Sequence, residues 1–270
     1  MGYYIAVEEG VNVYVEELNP SGSHTVLLLH GWPLNHSAYE YQLDKLPRYG
    51  IRCLAMDMRG FGRSDRPWHG YDYNRLADDV LMVIKSLGHS GITLGGHSMG
   101  GAIAVRYMAR HHAHGVKKLA LFGAAAPSFV RRADFPYGHT QAEVSGLISQ
   151  AGSNRPSLLR SFNEMFFYQY INQPLADWFF NLGLSAAGWA TAACLVTLRD
   201  ETLFGDLSRI HVPTLILHGV HDLVCPFAFA ETQHRAIHSS VLIPYEHSGH
   251  GLFYEQREAF NDDLLRFIQV

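Results

Sequence analysis

The chain has 270 residues, of which 47% are hydrophobic and 17% charged, the proportions of a globular protein rather than a disordered one. That length can bury a single large core, or one core with an insertion. A formal net charge of −4 gives no electrostatic reason to expect nucleic acid or an anionic membrane as a partner. Cys53, Cys194 and Cys225 are odd in number and irregularly spaced, which argues against a disulfide framework and for a reducing compartment. The first residues, Met1 to Ala6, offer neither a basic-then-apolar leader nor the Ser or Thr that N-myristoylation needs. No uncharged apolar run reaches membrane-spanning length, so a soluble, cytoplasmic protein is expected.

Tyr3 to Val7 and Val11 to Leu18 read as short strands joined at Glu8-Glu9-Gly10, an opening hairpin. Val26 to His30 is a near-continuous apolar run, the mark of a strand buried on both faces of a mostly parallel sheet, and it ends in His30-Gly31-Trp32-Pro33. A helix is predicted from Ser37 to Leu46 with Ser37 as its N-cap. Ile51 to Met56 is the next buried strand, followed by the polar, glycine-rich loop Asp57 to Ser64. Leu76, Val80, Val83, Ile84 and Leu87 recur at helical spacing and predict a helix over 72–87, stopped by Gly88. Ile92 to Leu94 is strand-like, Ala102 to Arg110 helix-forming, and Val116 to Phe122 another strand. From Ala124 to Arg209 the alternation lapses into an aromatic-rich stretch with helical segments and prolines. The sheet resumes at Pro213 to His218 and Val241 to Tyr245, and a final amphipathic helix is predicted from Glu255 to Ile268. The expected architecture is α/β: an eight-stranded, mostly parallel sheet flanked by helices. Its core spans residues 1–123 and 210–270, and residues 124–209 form a helical cap over the carboxyl edge of the sheet.

The densest chemical signal is Gly96-His97-Ser98-Met99-Gly100. Gly-x-Ser-x-Gly between a strand and a helix is the nucleophile-elbow pattern. The tight turn lifts the serine hydroxyl clear of the backbone, and flanking glycines let neighbouring chain approach. The helix that follows aims its first N–H groups at the reaction centre. Serine is a poor nucleophile until a base takes its proton and an acid fixes that base. With this elbow the acid and then the histidine follow in loops after later strands. Asp222 stands in the loop after strand 213–218, whereas the other acid position, after Phe122, offers only Gly123 and Ala124. Of the two histidines after the last strand, His250 is better placed as base, beside Gly251 and just before the final helix, with His247 the substitute. Acyl transfer also needs donors for an oxyanion: the Met99 N–H supplies one, and Trp32 is the candidate for the second. Pro33 cannot donate, and the sequence leaves the isomer of the Trp32–Pro33 bond open.

This constellation resembles the α/β-hydrolase superfamily over nearly the whole chain. A narrower similarity lies in His30-Gly31-Trp32-Pro33-Leu34, Arg59-Gly60-Phe61-Gly62-Arg63-Ser64-Asp65 and Ser98-Met99-Gly100-Gly101, with Phe122-Gly123-Ala124 and Val212-Pro213-Thr214-Leu215. These look like the aryl esterase, perhydrolase and cofactor-free haloperoxidase family. The resemblance implies hydrolysis of small esters, in some members of lactones or γ-lactams. It also implies that hydrogen peroxide can replace water in deacylation, giving peracids that oxidise halides without haem or metal, so no cofactor and no metal are expected. It maps the nucleophile onto Ser98, the acid onto Asp222, the base onto His250, and the oxyanion donors onto Trp32 and Met99. Phe129, Phe162, Phe166 and Phe227 fall at positions resembling the family's acyl pocket. One departure is His97, where these family members usually carry Phe; hydrogen-bonded scaffolding is the expected role.

Other residues read as structural. Asp57 and Arg59 could pair, but the family uses their loop as scaffold. His111, His112 and His114, and His234 with His238, have metal-like spacing without carboxylates or cysteines close in sequence, and fit surface positions at helix ends. Cys225 has no evident activating partner and reads as a small packing residue. The expected function is therefore a serine carboxylic-ester hydrolase acting on a small-molecule ester through an acyl-enzyme, with homo-oligomerisation left open. A lactonase, a γ-lactamase or a carbon–carbon bond hydrolase would use the same triad, and a ligand-binding receptor on this fold could keep it with little turnover. Epoxide hydrolases and haloalkane dehalogenases place a carboxylate where Ser98 stands.

Overall fold

The computed structural model describes residues 1–88 and 90–270. Strands β1 (Gly2–Glu8) and β2 (Val11–Leu18) form the expected antiparallel hairpin. There follow β3 (His24–Leu29), β4 (Ile51–Met56), β5 (Ile92–His97), β6 (Val116–Phe122), β7 (Thr214–Gly219) and β8 (Ser240–Tyr245). All eight join one sheet in the order β1-β2-β4-β3-β5-β6-β7-β8. β2 runs antiparallel to β4, and every pairing from β4 through β8 is parallel. The helices are α1 (Glu40–Lys45), α2 (Tyr73–Ser86), α3 (Met99–Arg110), α4 (Gln141–Ser153), α5 (Arg155–Phe166) and α6 (Gln173–Leu184). Then come α7 (Gly188–Asp200), α8 (Phe204–Leu207), α9 (Ala228–Ala236), α10 (Leu252–Glu255) and α11 (Arg257–Gln269).

The apolar runs of the central strands are buried throughout because both faces of the sheet are covered. Leu27, Leu29, Leu119 and Leu121 point into one apolar cluster, which they share with Leu76, Val80 and Val83 of α2 and Ile103 of α3. Their neighbours Val26, Leu28, Ala120 and Phe122 point into the other, with Leu43 of α1 and Phe260 and Leu264 of α11. The period of two along each strand thus divides one sequence between two cores. Residues 124–209 add no strand to this sheet; α4 to α8 lie there. Leu195 and Leu198 of α7 join the first cluster, and Phe179 and Leu182 of α6 the second. Trp32, just past the carboxyl end of β3, donates its indole N–H to Thr191 O of α7 at 3.0 Å, which ties α7 to that end of the strand.

Several element boundaries differ from the sequence reading, among them β5, which runs on past Leu94 to His97. The helix expected over 37–46 is a 3-10 turn at His36–Tyr39, then α1, then a second 3-10 turn at Leu46–Tyr49. Its cap is Asn35 rather than Ser37: Asn35 is extended, and its Oδ1 accepts the Ser37 N–H at 3.0 Å. Pro47, which has no N–H to continue an α-helix, opens the second 3-10 turn. The helix at the elbow begins at Met99 rather than Ala102. The final helix is broken at Gln256, whose Oε1 accepts the His247 N–H at 2.9 Å and the Ser248 hydroxyl at 3.0 Å. The helix over 72–87 agrees with expectation: Asp72 is its N-cap, accepting from the Arg75 N–H at 3.0 Å.

Candidate active site

β5 carries the chain to Ser98, and α3 begins one residue later. Between them Ser98 is held at φ 54°, ψ −120°, a left-side conformation that is strained for a residue with a Cβ. The local sequence makes this turn feasible. A Cβ on Gly96 would collide with the Gly100 carbonyl, and one on Gly100 with the Leu29 carbonyl of β3. The turn is pinned by the Ser98 N–H, which donates to Phe122 O at 2.9 Å, and by Ser98 O, which accepts from Ala102 N at 3.1 Å and Ala125 N at 3.0 Å. Met99 is the first residue of α3, where an N–H has no intrahelical partner. The backbone N–H of Trp32 likewise has no hydrogen-bond partner among the described residues. The Trp32–Pro33 and Ala126–Pro127 peptide bonds are cis.

Asp222 and His250 meet in the loops after β7 and β8. The His250 Nδ1 lies 2.7 Å from Asp222 Oδ2, and both side chains are fully buried. A carboxylate can only accept, so the Nδ1 carries the proton and Nε2 keeps its lone pair. Nε2 has no hydrogen-bond partner among the described residues. Asp222 Oδ1 accepts from the backbone N–H groups of Val224 at 2.8 Å and Cys225 at 2.7 Å. A second imidazole, His218, stands 3.4 Å from Oδ2 and donates its own Nε2–H to Cys225 O at 2.7 Å. Burial works to raise the Asp222 pKa, but the adjacent His250 and His218 hold it well below the usual carboxylate range.

The elbow and the base touch through His97. Its ring lies 4.5 Å from the His250 ring, and its Nε2–H donates to His250 O at 3.0 Å. Burial, with the neighbouring His250, pushes the His97 pKa far down and keeps it neutral. At the other side of the site, His30 is also neutral, its pKa pushed down to about 4 by burial. Its Nδ1–H donates to Gly31 O at 2.9 Å and its Nε2 accepts from Met58 N at 3.1 Å, which fixes the loop bearing Trp32.

Ser98 opens onto a small cavity of about 20 Å³ lined by Trp32, Phe129, Phe162, Met165, Leu195 and Leu198, with Leu147, Val224 and His139 completing the wall. Of the four phenylalanines singled out in the sequence, Phe129 and Phe162 line this cavity and Phe166 and Phe227 do not. Phe166 packs edge-on to the His250 ring at 5.1 Å, and Phe227 lies edge-on to His218 at 5.9 Å. The walls that sequence reasoning missed come from α4, α5 and α7, and only helical spacing from Phe162 to Met165 and from Leu195 to Leu198 would have hinted at them.

The remaining candidates are scaffold. Asp57 and Arg59 do not pair with each other. Asp57 accepts from His36 N at 2.7 Å and Arg63 N at 2.8 Å, whereas Arg59 grips Asp79 through two bonds of 2.6 and 2.7 Å. His247 is exposed, and its N–H and carbonyl are spent on Gln256 and Gln169. His111 pairs with Asp78 at 2.8 Å. Cys225 is buried and its thiol pKa is pushed well up by that burial; its contribution to the site is the N–H given to Asp222.

The chain is similar to known proteins over most of its length. The family model described as alpha/beta hydrolase fold matches residues 24–256. The AB hydrolase superfamily protein YisY of Bacillus subtilis is 45% identical over 267 residues, 99% of each chain. The bifunctional esterase/perhydrolase DCH of Acinetobacter calcoaceticus is 30% identical over 98% of this chain and 99% of its own. Among solved structures, the esterase EaEST from Exiguobacterium antarcticum superposes with a TM-score of 0.97 at 43% identity, covering 100% of both chains.

Proposed function

The chain belongs to the α/β-hydrolase fold family and is a hydrolase of the esterase type; on that premise we propose that it cleaves small acyl or aryl esters through a Ser98–His250–Asp222 triad. The observation that carries the reading is the His250 imidazole. Its Nδ1–H is committed to a buried carboxylate at 2.7 Å and its Nε2 has no hydrogen-bond partner among the described residues, while the strained Ser98 at the helix N-terminus directly follows His97, whose ring lies 4.5 Å from this imidazole.

In the mechanism, Nε2 of His250 takes the Ser98 proton as Oγ attacks the ester carbonyl carbon. Asp222 holds the imidazole in the required tautomer and stabilises the imidazolium that forms. The Trp32 and Met99 N–H groups donate to the tetrahedral oxyanion, an interaction whose removal typically costs on the order of a hundredfold in kcat. His250 then gives the proton to the departing alcohol, leaving an acyl group on Ser98. Water enters, loses its proton to His250 and attacks the acyl carbon; as the bond from that carbon to Ser98 Oγ breaks, His250 returns the proton to Oγ and the acid is released. In the perhydrolase variant, supported by the name of the Acinetobacter relative, hydrogen peroxide takes the place of water and the acyl group is released as the peracid. Residues 124–209 act as a cap on the core formed by 1–123 and 210–270, supplying most of the acyl-pocket wall.

The test is steady-state hydrolysis of p-nitrophenyl acetate, butyrate and octanoate by the wild type and by Ser98→Ala. Sustained turnover that falls with chain length and disappears in the variant is the expected result. Activity that survives Ser98→Ala would refute the assignment. Absence of multiple turnovers on all three esters, by lactones and by amides alike, would favour a ligand-binding receptor.

A further inference from the structure

The acid and base of the site are each built from one loop, but the loop that carries His250 is not held by the core alone. Glu255, at the end of the short helix α10, turns its carboxylate back onto two separate segments. Oε1 accepts the backbone N–H groups of Tyr168 and Gln169, each at 2.7 Å, and Oε2 accepts the N–H of Gly249 at 2.8 Å. Tyr168 and Gln169 belong to the covering stretch after α5, and Gly249 directly precedes His250. Two further bonds tie the same segments: Gly251 N to Phe166 O at 2.9 Å, and Gln169 Nε2 to His247 O at 2.6 Å. The contact is close enough that a Cβ on Gly249 would stand 2.9 Å from Tyr168 N. The covering segment also reaches the acid loop, where the Tyr168 ring stacks on His221 at 3.8 Å with the planes 10° apart.

We propose that Glu255 is a positioning residue, a clasp that holds His250 in its working place only while residues 166–169 are docked over the site. Three main-chain donors converging on one carboxylate fix both partners at once, since each bond is charge-assisted and directional. The clasp matters for turnover because the site is closed. Ser98 is 5% exposed and His250 fully buried, and the cavity beside the serine, about 20 Å³, is the room of roughly one water. An ester enters only if the cavity wall shifts, and α5, which carries Phe162 and Met165 of that wall, ends at Phe166 and runs directly into 167–169. Shifting 166–169 pulls on the Gly249 side of the base loop, and re-docking restores it, so the base is engaged only around an enclosed substrate. His97, through its bond to His250 O, anchors the same loop from the elbow side and limits how far it moves.

This inference rests on His250 being the base. The experiment is Glu255→Gln, in which one acceptor oxygen becomes an NH2 donor facing either Gly249 N–H or the Tyr168 and Gln169 pair. The readout is kcat per active site titrated with a fluorophosphonate, so that misfolded protein does not count. A fall of about 10- to 100-fold is expected, the scale of a misplaced catalytic group, with KM much less affected. An unchanged kcat per titrated site overturns the proposal. In the wild type, amide hydrogen exchange gives an independent reading: Tyr168, Gln169 and Gly249 should be protected and should open together, at a rate no slower than kcat. Uncorrelated exchange of Gly249 and the other two overturns the proposal even if the variant does not fold. Activity surviving in Ser98→Ala would refute the triad instead, so the two failures are distinguishable.

Discussion

Asp222 does more than face a histidine. One oxygen meets the His250 Nδ1 and the other gathers the N–H groups of Val224 and Cys225, so the same carboxylate folds its own loop. Asp222→Asn keeps the shape but can present an NH2 to Nδ1, forcing the imidazole into the tautomer with its lone pair on the wrong nitrogen. A fall in kcat of roughly 10⁴-fold is expected with the protein still folded; a loss below tenfold would contradict the assigned role. The proposed triad can be picked out at this scale because its members are few, chemically distinctive and fixed in chain order. The second histidine on the acid, His218, cannot, since a buried histidine at a strand end looks like any core residue until Asp222 is folded back within 3.4 Å of it.

At the scale of elements, the elbow was readable from glycine spacing, while its edges were not. Gly95 to His97 continue β5 because they pair with β6, a tertiary constraint that outweighs the poor strand propensity of glycine. The covering helices were the least legible part. The family resemblance points to Phe166 and Phe227, yet the cavity wall is completed by Leu147, Met165, Leu195 and Leu198, whose side chains carry no signal until α4, α5 and α7 are packed together. This wall is expected to set acyl length. Leu198→Ala should open the pocket and raise the octanoate-to-acetate ratio of kcat/KM by about tenfold, at a stability cost of about 2 to 5 kcal/mol. An unchanged ratio, measured on folded variant, would mean that the acyl chain lies elsewhere. The other buried pair, Arg59 with Asp79, belongs to the scaffold of the glycine-rich loop. Asp79→Ala leaves Arg59 buried with only the half-exposed Glu8 at 2.9 Å, and a loss of about 3 kcal/mol in a denaturant titration is expected; a loss under 1 kcal/mol would mean that Glu8 suffices.

The whole molecule should weaken in acid, in two stages. His30 and His97 are buried and neutral, with pKa values pushed down by that burial, to about 4 for His30. Unfolded histidines take up protons near pH 6.5, so the stability from these two is complete above that pH and drains away as the pH falls toward their folded values. Asp57 and Asp222 act lower on the scale. Burial opposes their ionisation, but His36 beside Asp57 and His250 beside Asp222 hold both below the usual carboxylate range. Their contribution is present above about pH 4 and is lost below it. The urea midpoint is therefore expected to drop between pH 7.5 and 5, before the carboxylates titrate; an equal midpoint at both would contradict the buried neutral histidines. The architecture that imposes this burial was visible in outline, because continuous apolar strands alternating with amphipathic helices admit few topologies.

The measurement to make before any other is rapid-quench mass spectrometry of the protein mixed with p-nitrophenyl acetate. An acetyl group that appears on the peptide carrying Ser98 within the first turnover, and forms far more slowly in His250→Ala, is the expected result. Turnover with no acetyl group on Ser98, or acetylation at another residue at the rate of turnover, would contradict the acyl-enzyme and the triad together.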